Sequence, residues 1–235
     1  MIAIIQIILT FVLAVIYALT QVDFTSILSI LGLVGFYLAI NVGYIILIFL
    51  LFIIVIYATS GIESKNLKKH QLLMVFSKYF FYSLLRVKVV VKGLENLPTD
   101  NNFVVYSNHI EYNDPFYLKQ YYNHTPLSFV SKEPLFKYPI LKTLLLSINC
   151  IPIGRLADRK SLEAILETIK TVKNGQPMGI FPEGKRSYSN NLDDFKPGAF
   201  KVAQKAKADI SLAVLYNFHE INKNYFRIKK FLLLK

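Results

Sequence analysis

The segment "NFVVYSNHIEYNDP" (102–115) decides the fold, because an apolar run passes there into a polar loop and then into a helix start. Residues 102–108 are apolar and β-branched, which predicts a buried strand. Pro115 prefers the first turn of a helix and pushes Asp114 toward an extended conformation. We therefore expect His109 on a loop that leaves a strand, and Asp114 at the entry of the next helix.

The residues on either side of this segment alternate in the same way. Further strands are predicted at 87–93, 127–132, 150–154 and 210–216 and at the start of 177–184, and helices at 159–175 and 198–208. Strands separated by helices predict an α/β domain with a mostly parallel sheet flanked by helices. In such sheets ligands bind beyond the carboxyl ends of the strands. That edge is where we expect a functional site.

Composition divides the chain into an apolar first part and a basic remainder. Of the 235 residues, 54% are hydrophobic, and the mean hydropathy is +0.41. The chain is thus more hydrophobic than an ordinary soluble domain. Residues 1–64 contain Asp23, Glu63 and no Lys or Arg, so the net charge of +12 arises from +14 in the remainder. A basic domain attracts phosphate-bearing partners. Because it follows an apolar segment, we expect membrane lipid and no nucleic acid as its partner.

Two apolar runs, 2–19 and 27–57, form a predicted helical membrane anchor. The first is close to the ~20 residues that a helix needs to cross a bilayer. The second is longer, so it either tilts, breaks near Asn41 and Gly43, or belongs to a shallow hairpin in one leaflet. "KNLKKH" (65–70) follows, and positive residues beside a span mark the cytoplasmic side. This predicts a cell-membrane protein whose later residues lie in the cytoplasm.

We expect three parts: the anchor at 1–60, an interfacial or linking helix at 61–86, and a cytoplasmic domain at 87–235. Residues 71–86 carry aromatic and sparse basic side chains. They suit either a helix in the plane of the membrane interface or a buried helix of the domain. The single cysteine, Cys150, rules out an internal disulfide and makes a zinc site improbable.

The loop after the first strand pairs a histidine with a carboxylate. A loop can fold His109 back onto Asp114, which then accepts a hydrogen bond from one imidazole nitrogen and leaves the other nitrogen basic. The alternative is that Asp114 only caps the helix that starts at Pro115. Both interpretations are open from this segment alone.

Two more polar clusters follow predicted strands. In "FPEGKRS" (181–187), Gly184 suits a tight turn, and Lys185 and Arg186 are adjacent cations suited to a phosphate. Glu183 is suited to bind a substrate hydroxyl or to hold an arginine, unless this is only a solvated turn. In "CIPIGRLADRK" (150–160), Arg155 follows a strand and Arg159 and Lys160 come soon after; the alternative there is a solvated helix start.

Taken together, the three clusters resemble the phospholipid and glycerol acyltransferase family, its bacterial 1-acyl-sn-glycerol-3-phosphate acyltransferases in particular. The family's His-x4-Asp motif matches "NHIEYNDP" (108–115), its strand ending in an arginine matches "CIPIGR" (150–155), and its Phe-Pro-Glu-Gly motif matches 181–187. Segments 91–98 and 195–200 resemble the family's flanks. Lys185 replaces the commoner Thr, Gly154 stands where the family often has Asp, and the late strand at 210–216 lacks the family's Pro.

The resemblance implies a glycerol-3-phosphate acyltransferase-like fold and transfer of an acyl group from a thioester to the sn-2 hydroxyl of lysophosphatidic acid, giving phosphatidic acid. It implies catalytic roles for His109 and Asp114. The substrate-binding residues that it implies are Arg155, Glu183, Gly184, Lys185 and Arg186. It implies no metal and no cofactor, only acyl-CoA or acyl-carrier protein as co-substrate.

Three other functions remain open from the sequence. The acceptor could be glycerol 3-phosphate or another lysophospholipid, since phosphate-binding clusters do not separate these. The chain could be a non-catalytic lipid-binding membrane protein. A metal hydrolase that uses His109, Asp114 and His124 is the third.

Overall fold

The computed structural model describes residues 2–84, 87–154, 159–222 and 229–234. The chain divides into two compact units, Met1–Val55 and Ile56–Lys235. The helices are α1 (Ile2–Gln21), α2 (Ile27–Thr59), α3 (Leu67–Lys78), α4 (Asp114–Tyr121), α5 (Pro139–Ser147), α6 (Arg159–Lys173) and α7 (Pro197–Ala206). The strands are β1 (Val87–Val91), β2 (Phe103–Ser107), β3 (Ser128–Lys132), β4 (Ile151–Ile153), β5 (Met178–Ile180), β6 (Asp209–Tyr216) and β7 (Lys229–Leu234).

The first unit is a helical hairpin. The amide of Gln6 in α1 donates to the side-chain oxygen of Asn41 in α2 (3.0 Å), and the rings of Tyr17 and Phe36 stack at 4.3 Å. Asn41 also donates to the carbonyl of Tyr37 one turn earlier. Its polar groups are thereby satisfied inside a regular helix, so α2 continues through the predicted break near Asn41, and that alternative was wrong.

Both helices of the hairpin are long and apolar enough to cross a membrane. Most of their large apolar side chains are exposed, including Ile7 at 64%, Phe11 at 63% and Leu28 at 76%. A helix of a soluble core would bury such side chains, whereas lipid would cover them. The exposed surface of this unit is therefore suited to a bilayer.

The second unit is built on a seven-stranded sheet in the order β1-β7-β6-β2-β5-β3-β4. Neighbouring strands pair in parallel except β6 with β7. The predicted α/β fold with a mostly parallel sheet is confirmed. Strand β2 lies at the centre, and all five of its residues are buried.

Helices α6 and α7 pack on this sheet around one apolar core. It contains Val104 and Tyr106 of β2, Met178 and Ile180 of β5, Ala164 and Val172 of α6, and Val202, Ala203 and Ala206 of α7. Burial of this surface is the main force that holds the sheet and helices together. Leu162 and Leu166 of α6 are 58% and 56% exposed, so they lie on the face of the helix that is turned away from this core.

Helix α3 lies in the segment before the sheet, for which the sequence left two interpretations open. Its Leu73, Met74 and Phe76 are buried, and so are Lys69 and His70. A helix lying in the membrane interface would expose its polar side chains to water. One face of α3 is therefore buried within the second unit, which begins at Ile56; the predicted boundaries at residues 60 and 86 stay predictions.

The parallel strands bring the predicted clusters to one edge. Strands β2, β5, β3 and β4 run side by side in the same direction, so their carboxyl ends lie together. The residues that follow them are Asn108, Phe181, Glu133 and Gly154. Sheet direction alone thus places the His109 loop beside the loop that begins at Phe181.

Candidate active site

The structure brings His109 and Asp114 together. Nδ1 of His109 lies 2.8 Å from Oδ2 of Asp114, and the same oxygen accepts the backbone N–H groups of Ile110 (2.6 Å) and Glu111 (2.8 Å). These contacts point backwards, away from α4, so Asp114 does not cap that helix. The capping alternative was wrong, and the helix begins after Asn113 without a side-chain cap.

Asp114 is completely buried, and this governs its protonation. Burial raises the pKa of the Asp114 carboxyl above 3.8, while the hydrogen bonds from His109, Glu111 and Ile110 oppose that rise. Its second oxygen, Oδ1, has no hydrogen-bond partner among the residues that the structure describes. One oxygen thus collects three donors and holds the loop closed around the imidazole.

The imidazole of His109 leaves its other nitrogen available. With Nδ1–H donating to Asp114, Nε2 is the unprotonated acceptor, and it makes no hydrogen bond within the described ranges. The His109 side chain is 15% exposed, so the ring is held by the protein yet still reaches solvent. This is the arrangement that a general base needs.

A column of stacked rings sets the orientation of the imidazole. The His109 ring lies 4.2 Å from the ring of Phe181, at 25° between planes, and Phe181 stacks in turn on Phe129 at 6.2 Å. Gly179 in β5 makes room for this column, because a Cβ there would overlap the ring of Phe129. The sequence analysis missed Phe129 and Gly179; a glycine inside a strand was the available signal.

Glu183 is buried beneath the loops rather than exposed on a turn. Its Oε1 accepts the backbone N–H of His109 (2.9 Å) and its Oε2 accepts that of Asp193 (3.2 Å). The side chain is 2% exposed. The carboxylate therefore fixes the backbone of His109, and the solvated-turn alternative is wrong for this residue.

Backbone hydrogen bonds join the two loops directly. Ser187 N donates to His109 O (2.9 Å), and Tyr188 N donates to Ile110 O (3.3 Å). Asn108 anchors the start of the His109 loop by bonding both backbone groups of Leu215 in β6, at 2.9 and 2.8 Å. The turn with the two cations is thus fixed next to the base.

The cations of this turn have different surroundings. Lys185 is exposed and pairs with Asp193 at 3.2 Å. Gly184 has φ +67°, and the side chain of Lys196 crosses the face where its Cβ would be, which adds a third cation to the turn. Arg186 is half-buried and stacks on the rings of Tyr112 and Tyr188. A concentration of positive charge at a tight turn favours a phosphate-bearing ligand.

Two candidates from the basic segment 150–160 remain. Arg155 lies outside the described residues, so its predicted role stays a prediction. Arg159 is 91% exposed and pairs with Glu163 on its own helix at 3.0 Å, as expected for a solvated helix start.

Neither a metal site nor a reactive thiol is indicated by the geometry of the described residues. His124 is exposed, and its Nε2 bonds the carbonyl of Pro98. In the part of the chain that the structure describes, no three His, Cys, Asp or Glu side chains are grouped to hold a metal ion. Cys150 is buried, and burial raises the pKa of its thiol above 9.0, which disfavours the thiolate.

These features define a class of protein: an α/β domain with a partly buried His–Asp pair at the carboxyl edge of its sheet, beside a basic turn. Residues 88–215, more than half of the chain, match the sequence model of the acyltransferase family. The chain belongs to the acyltransferase family.

Individual relatives agree with this assignment. The chain is 32% identical over 134 residues to a 1-acyl-sn-glycerol-3-phosphate acyltransferase of Borreliella burgdorferi, covering 57% of this chain and 53% of that protein. It is 32% identical over 126 residues to the protein of that name from Bacillus subtilis, covering 54% and 61%. It thus spans between half and two thirds of the length of these relatives.

One solved structure has the same fold. It is the 1-acyl-sn-glycerophosphate acyltransferase PlsC of Thermotoga maritima, with a TM-score of 0.60 and 23% identity, covering 79% of this chain and 82% of that one. At this identity the match supports the fold alone. The fold that the sequence resemblance implied is therefore confirmed.

Proposed function

We propose that this protein transfers an acyl group from a thioester of CoA or acyl-carrier protein to the sn-2 hydroxyl of lysophosphatidic acid, giving phosphatidic acid. One observation carries the proposal: the His109–Asp114 pair at 2.8 Å is joined by backbone hydrogen bonds to the turn that bears Arg186. A base and a phosphate-binding cation are thereby side by side. The names of the relatives from Borreliella burgdorferi and Bacillus subtilis support this acceptor.

In the proposed reaction, Nε2 of His109 takes the hydroxyl proton while the oxygen attacks the thioester carbonyl. The C–O bond forms, the tetrahedral intermediate collapses, and the C–S bond breaks. The leaving thiolate takes the proton back from the imidazolium. Asp114 stabilises that imidazolium and fixes its tautomer. General-base assistance of this kind contributes about 10²–10⁴-fold in rate.

The acceptor phosphate would bind the basic turn, with Arg186 and Lys185 as ligands and Gly184 providing the tight bend. Arg155, at the neighbouring strand end, is proposed as a further ligand. Glu183 supports this site by its two bonds to the backbone. No metal enters the proposed mechanism, because proton transfer and phosphate binding are both assigned to protein side chains.

The membrane supplies a lipid acceptor that is hardly soluble in water. We propose that the hairpin of α1 and α2 anchors the protein in the cell membrane with the second unit on the cytoplasmic side, since Lys65 and Lys68 follow the hairpin and are exposed. Lys69 was counted with them from the sequence. It is buried, and its Nζ bonds the carbonyls of Ile62 and Ser147, so it does not contact lipid headgroups.

A product assay tests the proposal. Membranes containing the protein are given labelled acyl-CoA or labelled acyl-carrier protein, with lysophosphatidic acid, glycerol 3-phosphate or lysophosphatidylcholine as acceptor. We expect labelled phosphatidic acid from lysophosphatidic acid, and a raised KM for this acceptor in Arg186→Ala but not in Lys173→Ala, an exposed lysine at the far end of α6. Faster turnover of another acceptor, or binding without any turnover, would overturn the proposal.

A further inference from the structure

The guanidinium of Arg186 lies over two tyrosine rings. Its Cζ is 3.3 Å from the ring centroid of Tyr112 and 5.3 Å from that of Tyr188. Both rings are at the surface, with Tyr112 62% and Tyr188 49% exposed. Arg186 forms no ion pair with any described carboxylate, whereas the adjacent Lys185 pairs with Asp193 at 3.2 Å. The two rings are therefore the contacts that hold this guanidinium.

The two tyrosines come from different loops. Tyr112 lies between His109 and Asp114, in the loop that holds the general base. Tyr188 follows Arg186 by two residues and has φ +52°, a backbone conformation that β-branched and bulky residues seldom adopt. Its N–H is bonded to the carbonyl of Ile110, which keeps this conformation in place. Arg186 thus connects the basic turn to the loop of the base through a side chain as well as through the backbone.

Stacking uses only the face of a guanidinium. The five N–H groups of arginine lie in the guanidinium plane, and they match the oxygens of a phosphate in pairs. A cation above an aromatic ring is attracted to the ring face. A stacked Arg186 therefore keeps its donating edges available, while its long side chain loses rotamers before the ligand arrives. That reduces the entropy lost when a phosphate binds.

We propose that Tyr112 and Tyr188 are positioning residues that clamp Arg186 for the phosphate of the acceptor. The proposal rests on the proposed function, because it takes Arg186 as a phosphate ligand. It assigns a task to Tyr112, which occupies an unspecified position of the His-x4-Asp motif, and to Tyr188, which directly follows the segment 181–187. It also explains why two large aromatic side chains stand exposed beside the site.

The proposed clamp acts on the guanidinium through the ring faces, while the side chains of Tyr112 and Tyr188 also hydrogen-bond each other. Tyr→Phe keeps the face over the guanidinium, and Tyr→Leu removes it. We therefore expect Tyr112→Leu to raise the KM for lysophosphatidic acid about three- to tenfold, the range of a cation–π contact, with kcat within about twofold. Tyr112→Phe should stay within about twofold of wild type in both parameters. Tyr57→Leu, a tyrosine of similar exposure (48%) in α2, is the matched control.

A double-mutant cycle on the full-length protein in membranes separates the clamp from other roles. KM and kcat are measured for Tyr112→Leu, Tyr188→Leu, Arg186→Ala and the Tyr112→Leu/Arg186→Ala pair. If the tyrosine acts through the arginine, Tyr112→Leu has no further effect on KM once Arg186 is alanine. If Tyr112→Leu raises KM by the same factor in the Arg186→Ala variant as in wild type, Tyr112 contacts the substrate by itself. That result would overturn the clamp.

The failure of the clamp and the failure of the proposed function give different results. If Arg186→Ala raises KM and both Leu variants leave it unchanged, the clamp is wrong and the phosphate role of Arg186 stands. If Arg186→Ala leaves KM unchanged while His109-dependent turnover persists, the phosphate role is wrong and the clamp falls with it. If Tyr112→Leu and Tyr112→Phe both lower kcat and leave KM unchanged, the substitutions disturb the loop that carries His109. That result would also overturn the proposal.

Discussion

Glu183 accepts the backbone N–H of His109 through one carboxylate oxygen and the N–H of Asp193 through the other. The carboxylate of the basic turn therefore bonds the backbone of the His109 loop. The position of the general base depends on a residue 74 positions further along the chain. Glu183 thus joins the loop of His109 to the segment that contains Asp193.

Replacing Glu183 by Ala should lower kcat and thermal stability together. The change leaves the partly buried N–H groups of His109 and Asp193 without this acceptor, at a cost of at most about 1–3 kcal/mol for each. Glu183→Gln keeps one acceptor oxygen and should be milder. Unfolding temperature and steady-state kinetics of detergent-solubilised protein provide the measurement. A raised KM at unchanged stability would instead identify Glu183 as a direct substrate ligand, the role that the sequence resemblance implied.

Asp114→Asn should reduce kcat by about 10²-fold or more, within the range of general-base assistance, with little effect on KM. The amide is neutral and no longer stabilises an imidazolium at Nδ1, while its size preserves the loop. Asp194→Asn, an exposed carboxyl beside the basic turn, is the matched control. Single-turnover acyl transfer measures the chemical step. A kcat close to wild type would remove Asp114 from the mechanism.

Gly179→Ala should impair catalysis without changing any predicted substrate ligand. The added methyl group would overlap the buried ring of Phe129 and disturb the column of Phe129, Phe181 and His109. We expect lower stability by about 1–3 kcal/mol, typical of overpacking, together with a lower kcat. Gly198→Ala is the control, since its Cβ would meet Ile165 at an ordinary 3.8 Å. Equal behaviour of the two variants would show that the column does not orient the imidazole.

Lys119 should make folding stability rise with pH above neutrality. Burial lowers the pKa of Lys119 to about 7, and its Nζ bonds Nδ1 of His70 at 2.6 Å and the carbonyl of Leu127. Between pH 7 and 10.5 the unfolded lysine is protonated and the folded one is neutral. The unfolded state then binds more protons, so the free energy of unfolding increases with pH, by about 1 kcal/mol per pH unit.

His70 and Cys150 also change the free energy of unfolding with pH, and they limit the pH range in which the effect of Lys119 can be measured. Burial lowers the pKa of His70 to about 3. Its effect on the free energy of unfolding therefore no longer changes with pH above 6.5. Burial raises the pKa of Cys150 above 9.0. Cys150 therefore lowers the free energy of unfolding as pH rises beyond that value. Denaturant unfolding at pH 7.5 and 8.5 should therefore show a rise in wild type and in Lys201→Met, an exposed control, but not in Lys119→Met. An undiminished rise in Lys119→Met would refute the assignment.

The sequence predicts the sheet well because its strands are local apolar runs with clear ends. The strand predicted at 102–108 is β2 (Phe103–Ser107), and the strand predicted at 210–216 is β6 (Asp209–Tyr216). Strand β7 was missed, since 226–235 mixes basic and apolar residues, and only pairing with β1 and β6 makes it a strand. Such pairing is non-local and leaves little signal in the segment itself.

For the site, the sequence predicts the reacting groups and not the groups that hold them. The His109–Asp114 pair follows from a five-residue spacing and Pro115. The contacts of His109 with Phe181 and Glu183 join residues more than 70 positions apart, and the cation–π contact of Arg186 with Tyr112 is equally distant. No local pattern encodes these contacts; parallel strand pairing of β2 with β5 creates them.

The most direct test of the account is acyl transfer to lysophosphatidic acid by His109→Ala, compared with His124→Ala, in membranes that contain equal amounts of each protein. The imidazole of His124 bonds Pro98 and stands apart from the predicted chemistry. We expect His124→Ala to match wild type, and His109→Ala to lose turnover by about 10²–10⁴-fold while remaining in the membrane fraction. Substantial turnover by membrane-bound His109→Ala would contradict the central claim that this imidazole is the general base.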